Sequence, residues 1–138
     1  MNKILLASHG PLAKAMKETS EFLLGESEIL YDMCAYVDEN SKDLQKMIDK
    51  WQEEKREEDT WLVITDLFGG SVNNEFMNRA ATDSFYLVSG MNLPLILAVL
   101  TQSGDLTEES VRQAVSGAGE ALMYCTDMRE QDEEDEDF

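Results

Sequence analysis

The only histidine of the chain, His9, closes a short aliphatic run and is followed by Gly10 and Pro11, where a strand gives way to a helix. Proteins with parallel α/β sheets place their chemistry at this end of the strands. Imidazole can attack an electrophile and carry a covalent group. The free N–H groups at the start of the following helix favour an anion. His9 is therefore predicted to be suited to carrying a phosphoryl group.

A second set of polar and small residues, Asp66 followed by Gly69, Gly70 and Ser71, comes after another apolar run. A carboxylate that accepts the Nδ1 proton of His9 fixes the imidazole tautomer and leaves Nε2 free to attack phosphorus. Glycines allow the backbone to approach an anion, and the Ser71 hydroxyl can donate to a phosphoryl oxygen. Phosphoryl transfer depends mainly on positioning and charge stabilisation, which these residues could supply.

Each of these residues also has an ordinary structural interpretation. A single histidine near a strand end can be a surface or capping residue, and Asp66 can cap a helix or a turn. Gly69 and Gly70 can form a plain turn. The combination at the carboxyl edge of neighbouring strands is more specific than any one residue, so the test is whether the fold brings them together.

Hydrophobic periodicity predicts alternating strands and helices. Strands are predicted at residues 4–8, 29–37, 61–65 and 85–88, and helices after Pro11, near Asn40 or Ser41, after Gly70, after Asn92 and at Thr107. This order predicts an α/β fold with a mainly parallel four-stranded sheet and helices on both faces. The strand order expected is 2-1-3-4, of the flavodoxin-like kind. Strands one and three are then neighbours, and the crevice between their helices opens beside His9 and Asp66.

The ends of the predicted fold are less regular. In the first helix, one apolar face is predicted from Leu12, Ala15, Met16, Thr19, Phe22 and Leu23. Glycines at 117 and 119 are predicted to break the last helix, and alternation over residues 121–125 predicts a short antiparallel C-terminal edge strand. Residues 1–126 are predicted to form one domain, and the mostly acidic residues 127–138 a disordered, solubilising tail.

Composition excludes several other functions. Acidic residues outnumber basic ones 29 to 11, giving a net charge of −18 that would repel nucleic acid and attract a basic protein partner. No signal peptide and no apolar run of about 18 residues is visible, which predicts a cytoplasmic protein. Cys34 and Cys125 are interpreted as reduced thiols, since no histidine lies near either at metal-ligand spacing. Neither a metal nor a cofactor is predicted.

Three segments of the chain resemble signatures of the mannose-class enzyme IIA domains of the bacterial phosphotransferase system (PTS). They are residues 4–10 with the helix that ends at 22–26, residues 65–71, and residues 90–95. The resemblance extends from residue 1 to about residue 126. It departs from the family pattern at Val72 and Asn73, where the family usually has proline and a variable residue, although Asn74 keeps the place of the family's asparagine.

The resemblance implies a phosphoryl carrier. The histidine matching His9 would accept phosphate from the carrier protein HPr and pass it to a separate enzyme IIB, which serves a membrane permease, IIC/IID. The aspartate matching Asp66 would hydrogen-bond that histidine. The implied phosphoryl-binding residues are Gly10, Thr65, Phe68, Gly69, Gly70 and Ser71. Family members commonly form homodimers in which a final edge strand crosses to the other subunit, and residues 121–125 are the candidate for that strand.

Three other functions remain compatible with the sequence. A related IIA-like domain donates phosphate to a dihydroxyacetone kinase, also from an N-terminal histidine. A regulatory protein could use phosphorylation of His9 as a signal that changes its partner. A flavodoxin-type binding module is less favoured, because no aromatic pair or long phosphate loop lies at the switch point. Onward transfer of phosphate to an enzyme IIB distinguishes the carrier from the regulator.

Overall fold

The computed structural model of the protein describes residues 1–128. Within that range the elements are β1 (Asn2–His9), α1 (Leu12–Leu24), β2 (Leu30–Ala35), a 3-10 turn (Glu39–Ser41), α2 (Leu44–Glu54), β3 (Thr60–Thr65), α3 (Ser71–Ala80), β4 (Tyr86–Ser89), α4 (Leu93–Thr101) and α5 (Glu108–Glu120). The predicted alternation of strands and helices is confirmed. None of the helices in residues 1–128 combines the length and the apolar character needed to cross a bilayer.

The four strands form one parallel sheet in the order β2-β1-β3-β4, which confirms the predicted topology. β1 is central, with Ala35 of β2 opposite His9 on one side and Thr65 of β3 opposite Ala7 on the other. Because the strands are parallel and in this register, the loops that follow β1, β2 and β3 meet at a single edge. His9 lies at the centre of that edge.

Helices cover both faces of the sheet and bury two separate cores. Ile4 and Leu6 of β1 face a cluster that includes residues of α1, α4 and α5, whereas Leu5 and Ala7 face residues of α2 and α3. All four residues are almost inaccessible to solvent. Successive side chains of a strand point to opposite faces, so a continuous aliphatic strand is the sequence expected between two helical layers. This double core fixes β1, and with it the position of His9.

The first helix packs differently from the prediction. Of the six residues predicted to form its apolar face, only Met16 packs against the core, and Phe22 is 87% exposed. The buried positions of α1 are Ala13 and Ser20. Small side chains let the helix approach the sheet closely, and the Ser20 hydroxyl satisfies itself by donating to the Met16 carbonyl at 2.7 Å. The larger apolar residues are consequently left on the outer surface.

The start of α2 also differs from the prediction, whereas the start of α5 agrees with it. The side chain of Asp43, rather than Asn40 or Ser41, caps α2 by accepting from the Lys46 N–H at 3.1 Å. Asn40 and Ser41 belong to the preceding 3-10 turn. The predicted start of α5 is confirmed, since Thr107 and Ser110 form a reciprocal capping box.

The predicted antiparallel strand over residues 121–125 is not formed. α5 continues through both glycines to Glu120, because buried Ala118 anchors its last turns against the core. A glycine costs a helix about 1 kcal/mol, which packing can outweigh. Residues 122–124 are irregular and exposed, and a helical turn follows to Met128. Strand exchange between subunits therefore stays a prediction, and most of the predicted tail at 127–138 lies outside the described residues.

Candidate active site

The turn after β1 is held rigidly at the edge of the sheet. Gly10 adopts a φ of +63°, which favours glycine, and its N–H donates to the Ala35 carbonyl at 2.8 Å. The buried Ser8 hydroxyl accepts from the Ala13 N–H at 2.8 Å and donates to the Gly10 carbonyl at 3.1 Å. These bonds fasten the start of α1 to the end of β1. The position of the intervening His9 backbone is thereby fixed.

One carboxylate oxygen of Asp66 accepts two hydrogen bonds from His9. Asp66 Oδ2 accepts from the His9 backbone N–H at 2.9 Å and from the ring Nδ1 at 2.8 Å, while Oδ1 accepts from the Leu67 N–H at 3.0 Å. An ionised carboxylate can only accept, so Nδ1 carries the proton and Nε2 carries the lone pair. The Asp66 side chain is 8% exposed and that of His9 38%, so the ring is open to solvent above a sheltered carboxylate.

The pKa of the Asp66 carboxyl lies below its ordinary value. Burial acts in the opposite direction and is the largest single influence on this pKa. The hydrogen bonds from the His9 backbone, the His9 ring and the Leu67 backbone together outweigh it. Asp66 is therefore ionised throughout the neutral range and remains a fixed acceptor for the imidazole.

Ser71, the first residue of α3, lies on the other side of the ring. Its Oγ is 2.9 Å from His9 Nε2. Gly70 precedes it, and a Cβ at this position would lie 3.0 Å from His9 Cε1 and 3.1 Å from Leu67 Cδ2. Only glycine leaves the imidazole its present space. The Gly69 carbonyl accepts from Asn74 Nδ2 at 3.1 Å, which ties the loop to the helix behind it.

The remaining predicted phosphoryl-binding residues occupy different positions. Phe68 is 75% exposed beside the glycine turn. Thr65 is fully buried, and its hydroxyl donates to Asn73 Oδ1 at 2.7 Å, so it lies beneath the site and its hydroxyl is already engaged. This bond also bears on the departure from the family pattern at 72 and 73. Val72 and Asn73 are both buried, and they anchor the start of α3 without a proline.

Tyr36 belongs to the site and was not predicted from the sequence. Its hydroxyl lies 3.2 Å from Ser71 Oγ, and its ring centroid lies 5.8 Å from that of His9. It follows β2 with a φ of +66°, the one non-glycine residue with positive φ in residues 1–128. Its place at the end of the predicted strand 29–37 was a signal for the correct edge of the sheet. Nothing in the residue type signalled the left-handed backbone that places the hydroxyl near Ser71.

No group of three or more histidine, cysteine, aspartate or glutamate side chains within residues 1–128 is arranged to hold a metal ion. The groups around His9 are hydrogen-bond partners and backbone amides. They can orient an imidazole, leave its Nε2 nucleophilic, and offer donors to an anion on that nitrogen.

The fold and the site together define an open parallel α/β domain that carries a carboxylate-oriented histidine at its topological switch point. Comparison with known proteins makes this class specific. The family model EIIA-man, described as the PTS system fructose IIA component, matches residues 3–116. The chain belongs to this family, whose members are phosphotransferase components of sugar phosphotransferase systems.

Similar proteins agree with that membership. The chain is 33% identical over 118 residues to the sorbose-specific EIIA component of Lacticaseibacillus casei, covering 83% of this chain and 80% of the relative. It is 29% identical over 102 residues to the fructose-specific EIIA component of Bacillus subtilis, covering 73% and 70% of the two chains.

Solved structures extend the similarity to three dimensions. A crystal structure of a sugar phosphotransferase-system protein from Klebsiella pneumoniae is 36% identical and superposes with a TM-score of 0.84, covering 91% of each chain. A mannose/sorbose-specific IIA subunit from Enterococcus faecalis is 22% identical, with a TM-score of 0.69 over 88% of this chain and 92% of that subunit. At that identity the second likeness shows the fold alone.

Proposed function

We propose that this chain accepts a phosphoryl group from phospho-HPr on Nε2 of His9 and donates it to a separate enzyme IIB during sugar uptake. The observation that carries the proposal is that both nitrogens of the His9 ring have a hydrogen-bond partner. Asp66 accepts from Nδ1 at 2.8 Å, and Ser71 Oγ lies 2.9 Å from Nε2. A neutral imidazole held in this tautomer directs its lone pair outward, where a donor phosphoryl group can approach.

The chemistry balances without a separate acid or base. The Nε2 lone pair attacks phosphorus, the nitrogen–phosphorus bond of the donor phosphohistidine breaks, and its electron pair returns to the donor imidazole. The proton on Nδ1 of His9 stays in its hydrogen bond to Asp66, whose negative charge stabilises the positive charge that develops on the ring. Donation to enzyme IIB is the same step in the other direction, with His9 as the leaving group.

Donors for the phosphoryl oxygens are available around Nε2. The Ser71 hydroxyl, 2.9 Å from that nitrogen, can turn its hydrogen toward a phosphoryl oxygen. The N–H groups in the first turn of α3 have no acceptor within the helix, and the helix dipole favours an anion at that end. Gly70 leaves the space for this approach. These groups support Gly69, Gly70 and Ser71 as the phosphoryl-binding loop, with Thr65 as a buried support.

The surface around His9 supports a protein as the partner. Four apolar residues that follow the ends of β1, β2 and β3 are exposed there, namely Leu12, Val37, Leu67 and Phe68. Several exposed apolar side chains at one edge of a protein mark a candidate protein-interaction surface. An open cleft of about 480 Å³ beside Ser71 and Tyr36 gives a partner's loop room to enter. The net charge of −18 favours a basic partner.

Further parts of the proposal are a cytoplasmic location and a domain that ends near residue 126 before an acidic tail, which rest on the sequence. A homodimer and indirect coupling to a membrane permease IIC/IID rest on family membership. Light scattering tests the dimer, and limited proteolysis tests the domain boundary.

A reconstituted relay tests the proposed function. The full chain is incubated with phosphoenolpyruvate, enzyme I and HPr, and we expect one acid-labile phosphate per chain. His9→Gln should take up none, and omission of enzyme I is the control for direct labelling. Purified phospho-protein is then mixed with candidate IIB proteins and with a dihydroxyacetone kinase. Transfer to an enzyme IIB supports the carrier, whereas labelling without any transfer to an enzyme IIB contradicts it.

A further inference from the structure

We infer that the Tyr36 hydroxyl is a positioning group of this site, which acts by orienting the Ser71 hydroxyl. The predicted effect on phosphoryl transfer rests on the proposed function, whereas the hydrogen-bond arrangement rests on the geometry of the structure. Tyr36 Oη is 3.2 Å from Ser71 Oγ, which is itself 2.9 Å from His9 Nε2. The three side chains come from the ends of β1 and β2 and from the start of α3, so only the fold brings them together.

The hydrogen bonds of this set can all be satisfied in one direction. Asp66 accepts from His9 Nδ1, so Nε2 must accept, and the donor beside it is the Ser71 hydroxyl. Because the single hydroxyl hydrogen of Ser71 is donated to Nε2, Ser71 Oγ can only accept a hydrogen bond from its other neighbour. That neighbour is the Tyr36 hydroxyl, which has a hydrogen to give. Tyr36 therefore fixes the rotation of the Ser71 hydroxyl, which would otherwise be free to point into solvent.

The backbone of Tyr36 is held in a left-handed conformation. Its φ of +66° is strained for a residue with a side chain. The buried Ser41 maintains it: the Ser41 carbonyl accepts from the Tyr36 N–H at 2.8 Å, and Ser41 Oγ accepts from the N–H groups of Val37 and Asp38 at 2.9 and 3.0 Å. Strain maintained by surrounding bonds is concentrated at functional positions. In this conformation the Tyr36 ring lies beside the His9 ring, with the two centroids 5.8 Å apart.

The consequence appears during transfer. When phosphorus bonds to Nε2, that nitrogen stops accepting, and the Ser71 hydrogen becomes available to a phosphoryl oxygen. Tyr36 continues to donate to Ser71 Oγ, which keeps that hydrogen directed at the phosphoryl group rather than at solvent. Loss of the Tyr36 hydroxyl should slow the transfer step, kcat, and leave KM for phospho-HPr unchanged, because the aromatic ring that a partner would touch is retained in phenylalanine.

The experiment measures single-turnover transfer from phospho-HPr to four forms of the full chain: wild type, Tyr36→Phe, Ser71→Ala and the double variant. One neutral hydrogen bond corresponds to about a fivefold change in rate, which is the slowing expected for Tyr36→Phe. The double variant should transfer at the rate of Ser71→Ala alone, because Tyr36 acts through Ser71. Tyr31→Phe is the matched control, since Tyr31 lies on β2 five residues earlier, opposite Leu5, and should behave as wild type.

Either of two kinetic results would overturn the inference: a wild-type rate for Tyr36→Phe, or the same additional slowing by Tyr36→Phe when Ser71 is already alanine. Wild-type labelling is measured first, so failure of the proposed function is recognised separately. The ¹⁵N resonance of His9 Nε2 gives a second readout that needs no phosphoryl transfer. Tyr36→Phe should move this resonance and Tyr31→Phe should not, and an unmoved resonance in Tyr36→Phe would refute the hydrogen-bond arrangement itself.

Discussion

Replacement of Asp66 by asparagine tests how the carboxylate controls the His9 ring. Asp66 is an acceptor in three hydrogen bonds, with the His9 backbone, His9 Nδ1 and the Leu67 backbone. An asparagine of the same shape has one oxygen and one NH₂ group. If its oxygen faces His9, the NH₂ meets the Leu67 N–H. If its oxygen faces Leu67, the NH₂ meets the His9 backbone N–H and can satisfy Nδ1 only in the tautomer whose Nε2 carries the proton.

Both arrangements of Asp66→Asn remove the charge that stabilises the phosphorylated ring, and the second also removes the nucleophilic lone pair. A charge-assisted hydrogen bond contributes about 1.5–3 kcal/mol. We therefore expect transfer from phospho-HPr to slow by about 10- to 150-fold, since each 1.4 kcal/mol is a factor of ten in rate. Single-turnover quench flow with labelled phospho-HPr measures this rate, and a thermal melt confirms that the variant is folded.

Asp83→Asn is the matched control for Asp66→Asn. Asp83 also accepts several hydrogen bonds, including 2.8 Å contacts from Lys55 and Gln52, but it precedes β4 at the opposite edge of the sheet. Asp83→Asn should lower thermal stability and leave the transfer rate unchanged. An Asp66→Asn rate within twofold of wild type would refute the assignment of Asp66 as the group that orients His9.

Three further predictions concern Gly70, the lowered pKa values of Asp66 and Asp83, and the C-terminal segment. Gly70→Ala should slow transfer up to about tenfold by displacing the His9 ring, whereas Gly117→Ala, whose Cβ meets nothing within 4 Å, should leave transfer intact and stabilise α5 by about 0.5–1 kcal/mol in a urea melt. The folded-state pKa values of Asp66 and Asp83 lie below their ordinary values, so their stabilisation is complete above about pH 4 and is lost as pH falls through the folded pKa values. Acid unfolding followed by circular dichroism should therefore begin below about pH 4 and be shallower in the two Asp→Asn variants; an identical profile would contradict the shifts. Truncation after Thr126 should leave the rate of phosphorylation by HPr near wild type, and a large loss would make the removed segment part of the docking surface.

The strongest patterns of the sequence were sufficient to predict the sheet and the edge of the sheet at which His9 and Asp66 meet. Continuous aliphatic strands such as β1 are typical of parallel sheets covered on both faces, and the parallel direction of the strands follows from the alternation of strands and helices. The order 2-1-3-4 comes from the flavodoxin-like arrangement of such elements. Once strands one and three are neighbours, residues that follow them must meet. The observed 2.8 Å contact between His9 and Asp66 is the geometric result of that topology.

Packing decided the features that were not predictable. Apolar spacing placed Phe22 inside, but α1 approaches the sheet through the small residues Ala13 and Ser20. Two glycines indicated the end of α5, but buried Ala118 carries the helix past them. Local propensity cannot anticipate either outcome, because each depends on contacts with residues distant in the chain.

Tyr36 was unpredictable for a related reason. Its position in the site depends on a left-handed backbone, and that conformation depends on hydrogen bonds to the buried Ser41. A tyrosine at the end of a strand is ordinarily interpreted as part of the sheet. Thr65 shows the converse, because its place in the motif suggested a phosphoryl contact, whereas its hydroxyl is buried against Asn73.

The position of the phosphate on the His9 ring is the most direct test of the central claim. The full chain, phosphorylated with phosphoenolpyruvate, enzyme I and HPr, can be analysed by proton–phosphorus correlation NMR, which separates the two ring nitrogens by their coupling patterns. Because Asp66 holds the Nδ1 proton and Ser71 Oγ lies beside Nε2, we predict a single phosphate on Nε2 of His9. A phosphate on Nδ1, or on any residue other than His9, would contradict the account.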